Sequence, residues 1–445
     1  MGKYIIQGGK KLTGEIKISG SKNAALPILA ACVLVKGTVE LSNVPKITDV
    51  LITIDILRSL GAKVLMEGNT VTVDSTSISS IHVPERLVKK MRSSIIFMGS
   101  LLGRFKEVTI GYPGGCQLGK RPIDLHLNGL EQLGVRSFQG QNNIYCVADN
   151  LIGSKIKLNF PSVGATQNII LGAVCANGTT TIVNGAKEPE IHDLIKMLNA
   201  CGANIKVNKD IVIEGVNTLI GAHHKVMPDR IVAGTYIAAT AITKGDIIIK
   251  QTFESYMDPL IDTFLKLGLC IESTRGVTKV TAGELIVQNI KTGPHPGFPT
   301  DMQPQLMATL CFANGISSIE ETIFEARNKH VSQLNKMGAN ITTLQSNYNL
   351  ENIPNSIFVI AGGSKLVGTV VKAKDLRGGA ALILAGLAAE GKTVVEDANF
   401  LERGYESIDD DLLELGADIK HSYFENKDEV IKDVLIQKNE LISGR

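Results

Sequence analysis

Ser21-Lys22-Asn23-Ala24-Ala25-Leu26-Pro27-Ile28-Leu29-Ala30-Ala31-Cys32-Val33-Leu34-Val35-Lys36-Gly37-Thr38-Val39-Glu40-Leu41 sets the pattern of the chain. The run from Ala24 to Val35 has no polar face, and a helix apolar all round is a buried helix. Gly37 ends it, and Thr38-Val39-Glu40-Leu41 alternates as a strand does. The next run, Ile47–Leu60, sets apolar residues at helical spacing with charges between them. It predicts an amphipathic helix with an exposed face. It closes on Leu60-Gly61-Ala62, where Gly at the C′ position takes the left-handed conformation freely.

The same order recurs. Thr166–Ala176 leads to Gly178-Thr179-Thr180-Thr181-Ile182, and Gly379–Ala389 leads to Gly391-Lys392-Thr393-Val394-Val395. The closing turn returns as Leu133-Gly134-Val135, Cys201-Gly202-Ala203, Leu267-Gly268-Leu269, Met337-Gly338-Ala339 and Leu415-Gly416-Ala417, roughly every 70 residues, and such a period marks a repeat architecture. Six copies, each of two helices and about four short strands, predict two pseudo-symmetric α/β domains of three repeats each. His223-His224-Lys225-Val226-Met227-Pro228-Asp229 is polar, contains Pro, and ends half of the repeats. The N-terminal strand Tyr4–Gln7 could complete a sheet of the second domain, with the chain crossing twice. The charged tail, residues 421–445, reads as a solvated helix or a frayed end.

Composition excludes several functions. The 445 residues carry a net charge of +2, so no broad basic surface for nucleic acid is expected. There is no Trp and only 4% aromatic residues, which argues against base-stacking platforms. The seven cysteines are scattered without a C-x-x-C, so neither a disulfide framework nor a metal site is indicated. Met1-Gly2-Lys3-Tyr4-Ile5-Ile6 leads into a strand without a signal-peptide apolar core. The run Ala24 to Val35 is too short to span a bilayer. A soluble cytoplasmic protein with no membrane partner is expected.

Chemistry gathers at the starts of the apolar helices. Ser21-Lys22-Asn23, Met91-Arg92-Ser93-Ser94, Ser162-Val163-Gly164, Asp229-Arg230, Thr300-Asp301-Met302 and Asp375-Leu376-Arg377 each stand at such a start. Buried helices aim unpaired N–H groups and a positive dipole end out of their N-termini, where anions bind. Lys22 and Arg92 oppose that dipole, an unfavourable arrangement unless an anion lies between them. Asp301 and Asp375 could serve as caps, but Thr300 and Ser21 are available for capping. If the N-termini face one cleft between the domains, they form an anion trap.

A second stretch, Pro113-Gly114-Gly115-Cys116-Gln117-Leu118-Gly119-Lys120-Arg121-Pro122-Ile123-Asp124-Leu125-His126, reads as a Gly-rich mobile loop. Cations beside Cys116 favour its thiolate and make it reactive. His126 reads equally as a core hydrogen-bonding group or a ligand contact.

Together these residues resemble the UDP-N-acetylglucosamine enolpyruvyl transferase (1-carboxyvinyltransferase) family over about residues 1 to 420. The motifs are Gly20-Ser21-Lys22-Asn23-Ala24-Ala25, Pro113-Gly114-Gly115-Cys116 with Arg121 to His126, Pro294-His295-Pro296 with Phe298 to Gln303, Asp375-Leu376-Arg377, and Arg403-Gly404-Tyr405-Glu406. The resemblance implies a pair of inside-out α/β domains, residues 22–228 and residues 1–21 plus 229–420. Departures are Val232, where the family usually has Glu, Glu402 for a commoner Asp, Phe160-Pro161 where some members carry Lys, and the longer tail.

By resemblance, the enolpyruvyl group of phosphoenolpyruvate passes to the 3′-hydroxyl of UDP-N-acetylglucosamine with release of phosphate. Cys116 would be the acid, Asp301 the base, and Asp375 would assist proton movement or position Lys22. Lys22, Arg121 and Arg403 would hold phosphate, and Arg92 and Arg377 would add positive potential. Asn23, Arg92, Arg121, Pro122, Ile123, Asp124, Leu125, Ser162, Val163, Gly164, Asp301 and Ile323 would meet the nucleotide sugar. No organic cofactor is implied. Two rivals are a shikimate-pathway enolpyruvyl transferase, which lacks such a Cys loop, and a catalytically silent nucleotide-sugar-binding paralogue.

Overall fold

Each apolar run becomes a buried helix. In the computed structural model, which describes residues 2–114, 118, 123–251, 254–345, 356–363, 365–423 and 427–443, these helices are Lys22–Ala31, Phe97–Phe105, Val163–Ala173, Arg230–Ile242, Gln303–Leu310 and Leu376–Ala388. Every residue of Arg230–Ile242 is buried. Burial on all sides is what an all-apolar surface requires, because no face of such a helix gains from water. The helix Thr48–Leu60 instead buries Val50, Ile54, Leu57 and Leu60 and exposes Asp55 and Arg58. The six repeated turn glycines, Gly61, Gly134, Gly202, Gly268, Gly338 and Gly416, all have φ between +89° and +109°.

The described residues fall into two compact units. One lies within Met1–Ile18 and Pro228–Arg445 and includes Leu118; the other lies within Ser19–Cys116 and Arg121–Met227. They are called below the Asp301 unit and the Lys22 unit. Each contains three four-stranded sheets, and all six sheets share one order. Around the helix Val163–Ala173, for example, the edge strand Lys155–Lys157 runs parallel to Thr179–Val183. That strand pairs antiparallel with Ile211–Glu214, which pairs antiparallel with Asn204–Val207.

Two edge strands are exchanged. Thr13–Lys17 precedes the helix Lys22–Ala31 but pairs with Asp246–Lys250, in the other unit's first repeat. His223–Lys225 precedes the helix Arg230–Ile242 but pairs with Thr38–Ser42. The polar stretch expected as a boundary is thus partly a strand that closes the first sheet. The N-terminal strand Lys3–Gln7 lies between Lys392–Glu396 and Asp418–Ser422, antiparallel to both. It fills the place that a strand following Asp418–Ser422 would take in the other repeats.

The charged tail takes the helical one of the two expected forms, and most of its described side chains are exposed. It forms the helix Lys427–Ser443, and Val434 is buried against Val370 and Val394. Among the described residues no helix is long and apolar enough to cross a membrane.

Candidate active site

In the Lys22 unit the site is built on helix starts. Lys22 is the first residue of its helix and only 9% exposed. Its Nζ lies 2.6 Å from Oδ2 of Asp49, itself 1% exposed in the first turn of Thr48–Leu60. Asp49 counters both the Lys22 charge and the positive dipole end beneath it. Gly20 permits the approach: a Cβ there would lie 1.7 Å from the backbone oxygen of Asn43. Asn23 follows Lys22 and is half-buried, and half-buried Arg92 opens the turn Arg92–Ile96 ahead of Phe97–Phe105. Ser162 caps the helix Val163–Ala173, accepting from the N–H of Ala165 at 3.4 Å, with Val163 and Gly164 half-buried beside it.

His126 belongs to a core network. The Asn168 side chain accepts from the Gly99 N–H at 2.7 Å through Oδ1, and its Nδ2 donates to the Ile95 carbonyl at 3.1 Å. The same Nδ2 lies 2.7 Å from His126 Nδ1, which assigns Nδ1 as acceptor and the neutral ring's proton to Nε2. Nε2 faces Gly164, where a Cβ would be 3.2 Å away. Ile123 is buried, Asp124 begins the helix Asp124–Glu131 and is exposed, and Leu125 is half-buried. Cys116, Arg121 and Pro122 lie outside the described residues.

In the Asp301 unit the centre is a carboxylate held by two guanidiniums. Arg327 Nη1 donates to Asp301 Oδ1 at 2.9 Å, and Arg377 Nη2 donates to Oδ2 at 3.2 Å. Asp301 stays a quarter exposed while both arginine side chains are 4% exposed. Burial pushes the Asp301 pKa up, but the Arg377 and Arg327 charges overcome it and hold the carboxyl well below the usual carboxylate range. Arg377 also lies over the Tyr405 ring, 5.7 Å from its centroid. Tyr405 is fixed in turn by its hydroxyl contact with Thr235 Oγ1 at 2.9 Å.

Capping divides differently from the expectation. Asp375 is a cap, accepting from the Gly378 N–H at 2.8 Å. Ser21 makes no capping hydrogen bond. Thr300 donates to buried Glu321 instead, and Glu321 also accepts from the N–H of Ile323 at 2.9 Å. Asp301 is held by the two arginines. Asp49 is a carboxylate on Lys22 that the sequence reading did not single out. Arg403 ends the turn Ala398–Arg403 and is half-buried.

Sequence reasoning missed Asp49, Arg327 and His330. Asp49 looks like an ordinary dipole-favouring residue in a first turn. Arg327 and His330 lie between elements, where no periodicity marks them. His330 is 2% exposed with no hydrogen-bond partner on either ring nitrogen. Burial pushes its pKa down to about 4 against the pull of Asp375, so the ring is neutral at physiological pH. A signal existed for Arg327 only in its cationic type near the Asp301 repeat.

The family described as EPSP synthase (3-phosphoshikimate 1-carboxyvinyltransferase) matches residues 6–412. The chain is 44% identical over 423 residues to UDP-N-acetylglucosamine 1-carboxyvinyltransferase 2 of Caldanaerobacter subterraneus, covering 94% of this chain and 99% of the relative. It is 45% identical over 427 residues to UDP-N-acetylglucosamine 1-carboxyvinyltransferase 1 of Staphylococcus aureus, with the same coverage. Among solved structures, the enolpyruvyl transferase NikO from Streptomyces tendae superposes with TM-score 0.84 at 23% identity, over 95% of this chain and 99% of that one. EPSP synthase from Acinetobacter baumannii gives 0.73 at 18%, over 95% and 100%. At those identities the two structures establish the enolpyruvyl transferase fold.

Proposed function

The chain belongs to the UDP-N-acetylglucosamine 1-carboxyvinyltransferase family, and from that premise we propose how its residues move an enolpyruvyl group. The reaction joins C2 of phosphoenolpyruvate to the 3′-oxygen of UDP-N-acetylglucosamine and releases phosphate, as a step of peptidoglycan precursor synthesis in the cytoplasm. The carrying observation is the Asp301 centre. Arg377 Nε and Nη1 and Arg327 Nε are buried donors with no hydrogen-bond partner. A buried donor left unpaired is costly, and a carboxylate is the group whose geometry fits a guanidinium fork.

The carboxylate of phosphoenolpyruvate takes those donors. Its negative charge offsets the two guanidinium charges that hold the Asp301 pKa down, so that pKa climbs and Asp301 becomes a competent base for the sugar hydroxyl. The hydroxyl oxygen adds to C2, Asp301 accepts its proton, and Cys116 delivers a proton to C3. Elimination removes a proton from C3 and expels phosphate. Lys22, Arg121 and Arg403 balance the phosphate charge, with Asp49 orienting Lys22. Asp375 assists proton movement, and Arg92, Asn23 and the Ser162 to Gly164 turn meet the nucleotide sugar. The relatives at 44–45% identity favour this substrate pair over the shikimate-pathway alternative.

Phosphate release with both substrates, and none with either alone, tests the reading. A phosphonate epoxide such as fosfomycin provides the second arm. Burial pushes the thiols of Cys146 and Cys311 up to about 12 and those of Cys175 and Cys201 up to about 11, so these should stay unmodified. Peptide mapping should place the adduct on Cys116, with exposed Cys270 as the internal control. An adduct on Cys270 instead, or no turnover of the pair, overturns the proposal.

A further inference from the structure

The family match ends at residue 412, and the helix Lys427–Ser443 lies beyond it. That helix grips two consecutive repeats of the Asp301 unit. Val434, 1% exposed, packs with Val370 and Val394. Leu441 covers Gly391, where a Cβ would be 3.1 Å from Leu441 Cδ1. Lys438 Nζ donates to the carbonyl of Lys336 at 2.7 Å. Lys336 Nζ donates in turn to the carbonyl of Val370 at 2.6 Å, and the N–H of Lys372 donates to Gln333 Oε1 at 3.0 Å. The short helix Val331–Lys336 and the strand Val370–Lys372 are thus bonded directly to each other, and the tail packs across both, through Lys438 on the first and Val434 on the second.

Those two pieces lead straight to the Asp301 guanidiniums. Arg327 stands just before Val331, and Arg377 just after Lys372. Each arginine is carried by a different repeat, so their separation across Asp301 depends on how firmly the repeats are joined. Guanidinium–carboxylate pairing is directional and loses strength when the fork is misplaced.

We propose that Val434 and Lys438 are positioning residues, and that the C-terminal helix clamps the two repeats so that Arg327 and Arg377 keep the spacing that receives the substrate carboxylate. This rests on the reading that those arginines bind phosphoenolpyruvate. The wild-type chain is therefore assayed first: no turnover there defeats that reading and not the clamp.

The test uses the full chain with Val434→Asp and Leu441→Asp together, which sets charges in the apolar contact. Hydrogen exchange over residues 427–443 reports release of the helix. A misplacement of about 1 Å can cost 100-fold, so a partial shift should raise KM for phosphoenolpyruvate roughly tenfold. KM for UDP-N-acetylglucosamine should change less than about twofold, and Val434→Ile should behave as wild type. Free exchange with unchanged KM for phosphoenolpyruvate makes the helix structural only and overturns the proposal. Unchanged exchange also overturns it, because the apolar contact then does not hold the helix. Should the double variant fail to fold, Lys438→Met removes only the bond to Lys336. It should raise the same KM by a smaller factor, and wild-type kinetics there defeat the clamp.

Discussion

Lys22 stands at the positive end of its own helix, and the buried carboxylate of Asp49 explains why that is tolerated. Asp49 is nearly as buried as a core residue and lies 2.6 Å away. Removing Lys22 as Lys22→Ala leaves that carboxylate without its closest cation. Breaking a buried pair costs about 3 kcal/mol or more, so stability should fall along with turnover. Lys22→Met with Asp49→Asn removes both charges and should recover most of the stability but none of the activity. Urea denaturation of the three proteins decides this: a Lys22→Ala protein as stable as wild type would show that Asp49 needs no cation. Two other carboxylates respond to pH in opposite ways. Asp301 has a depressed pKa, so its contribution is present above the ordinary carboxylate value and lost only as pH falls through its own lower one. It should not bend the stability curve between about pH 5 and 9. Asp411 differs. Burial, with help from Glu414, Glu406 and Asp410, pushes its pKa up to about 6 despite the hydrogen bond from Tyr236. A raised pKa gives stability that is full below about 3.9, the unfolded value, and is lost as pH rises through the folded one. Asp411→Asn should therefore add about 1–3 kcal/mol at pH 8 and almost nothing at pH 4, since an amide oxygen still accepts from Tyr236. Equal gains at both pH values would show that charge is not the cause.

At the scale of elements, the buried helix start is the working unit of the site. It needs close backbone approach, and Gly20 supplies it ahead of Lys22. In Gly20→Ala the new methyl meets the backbone oxygen and carbon of Asn43 at 1.7 and 2.9 Å, and neither can swing away as a side chain would. Overpacking of this kind costs about 1–3 kcal/mol, and here the shift falls on the helix that carries Lys22. Gly20→Ala should lose stability and raise KM for phosphoenolpyruvate, whereas Gly9→Ala, which meets no atom within 4 Å, should change KM little. If both substitutions leave the kinetics alike, the approach at Gly20 does not position Lys22. The helix starts and turn glycines were legible in the sequence because each rests on local chemistry: apolar surface on all sides, and one left-handed residue per turn. Partners were not legible. Asp49 and Lys22 belong to different helices, and Arg327 reaches Asp301 from a turn, so their meeting depends on tertiary packing that no local pattern encodes. The exchanged edge strands were hidden from the local pattern for the same reason, since Thr13–Lys17 and His223–Lys225 each look like the leader of the helix that follows. The family resemblance implied their assignment, and the register shows that each serves the other repeat.

At the scale of the molecule, the Asp301 unit is discontinuous, and the strand Lys3–Gln7 is what closes it. Ile6 is fully buried, opposite Thr393 on one side and Ile419 on the other. Its side chain also rests on Gly386, where a Cβ would lie 3.1 Å from Ile6 Cδ1. Gly386 belongs to the helix that begins beside Arg377, so the first strand of the chain supports a cation placed far along it. Ile6→Ala creates a cavity at that junction, and such a truncation costs about 2–5 kcal/mol. The loss should be confined. If each unit closes its own core, exchange at amides of Leu376–Ala388 and Arg230–Ile242 should quicken, because native-state opening follows local cooperative units. Amides of Lys22–Ala31 and Val163–Ala173 should keep their wild-type rates. Native-state hydrogen exchange on the full chain separates the cases. Quickening in all four helices alike would mean that the two units open as one, so that the first strand stabilises Lys22 as much as Arg377.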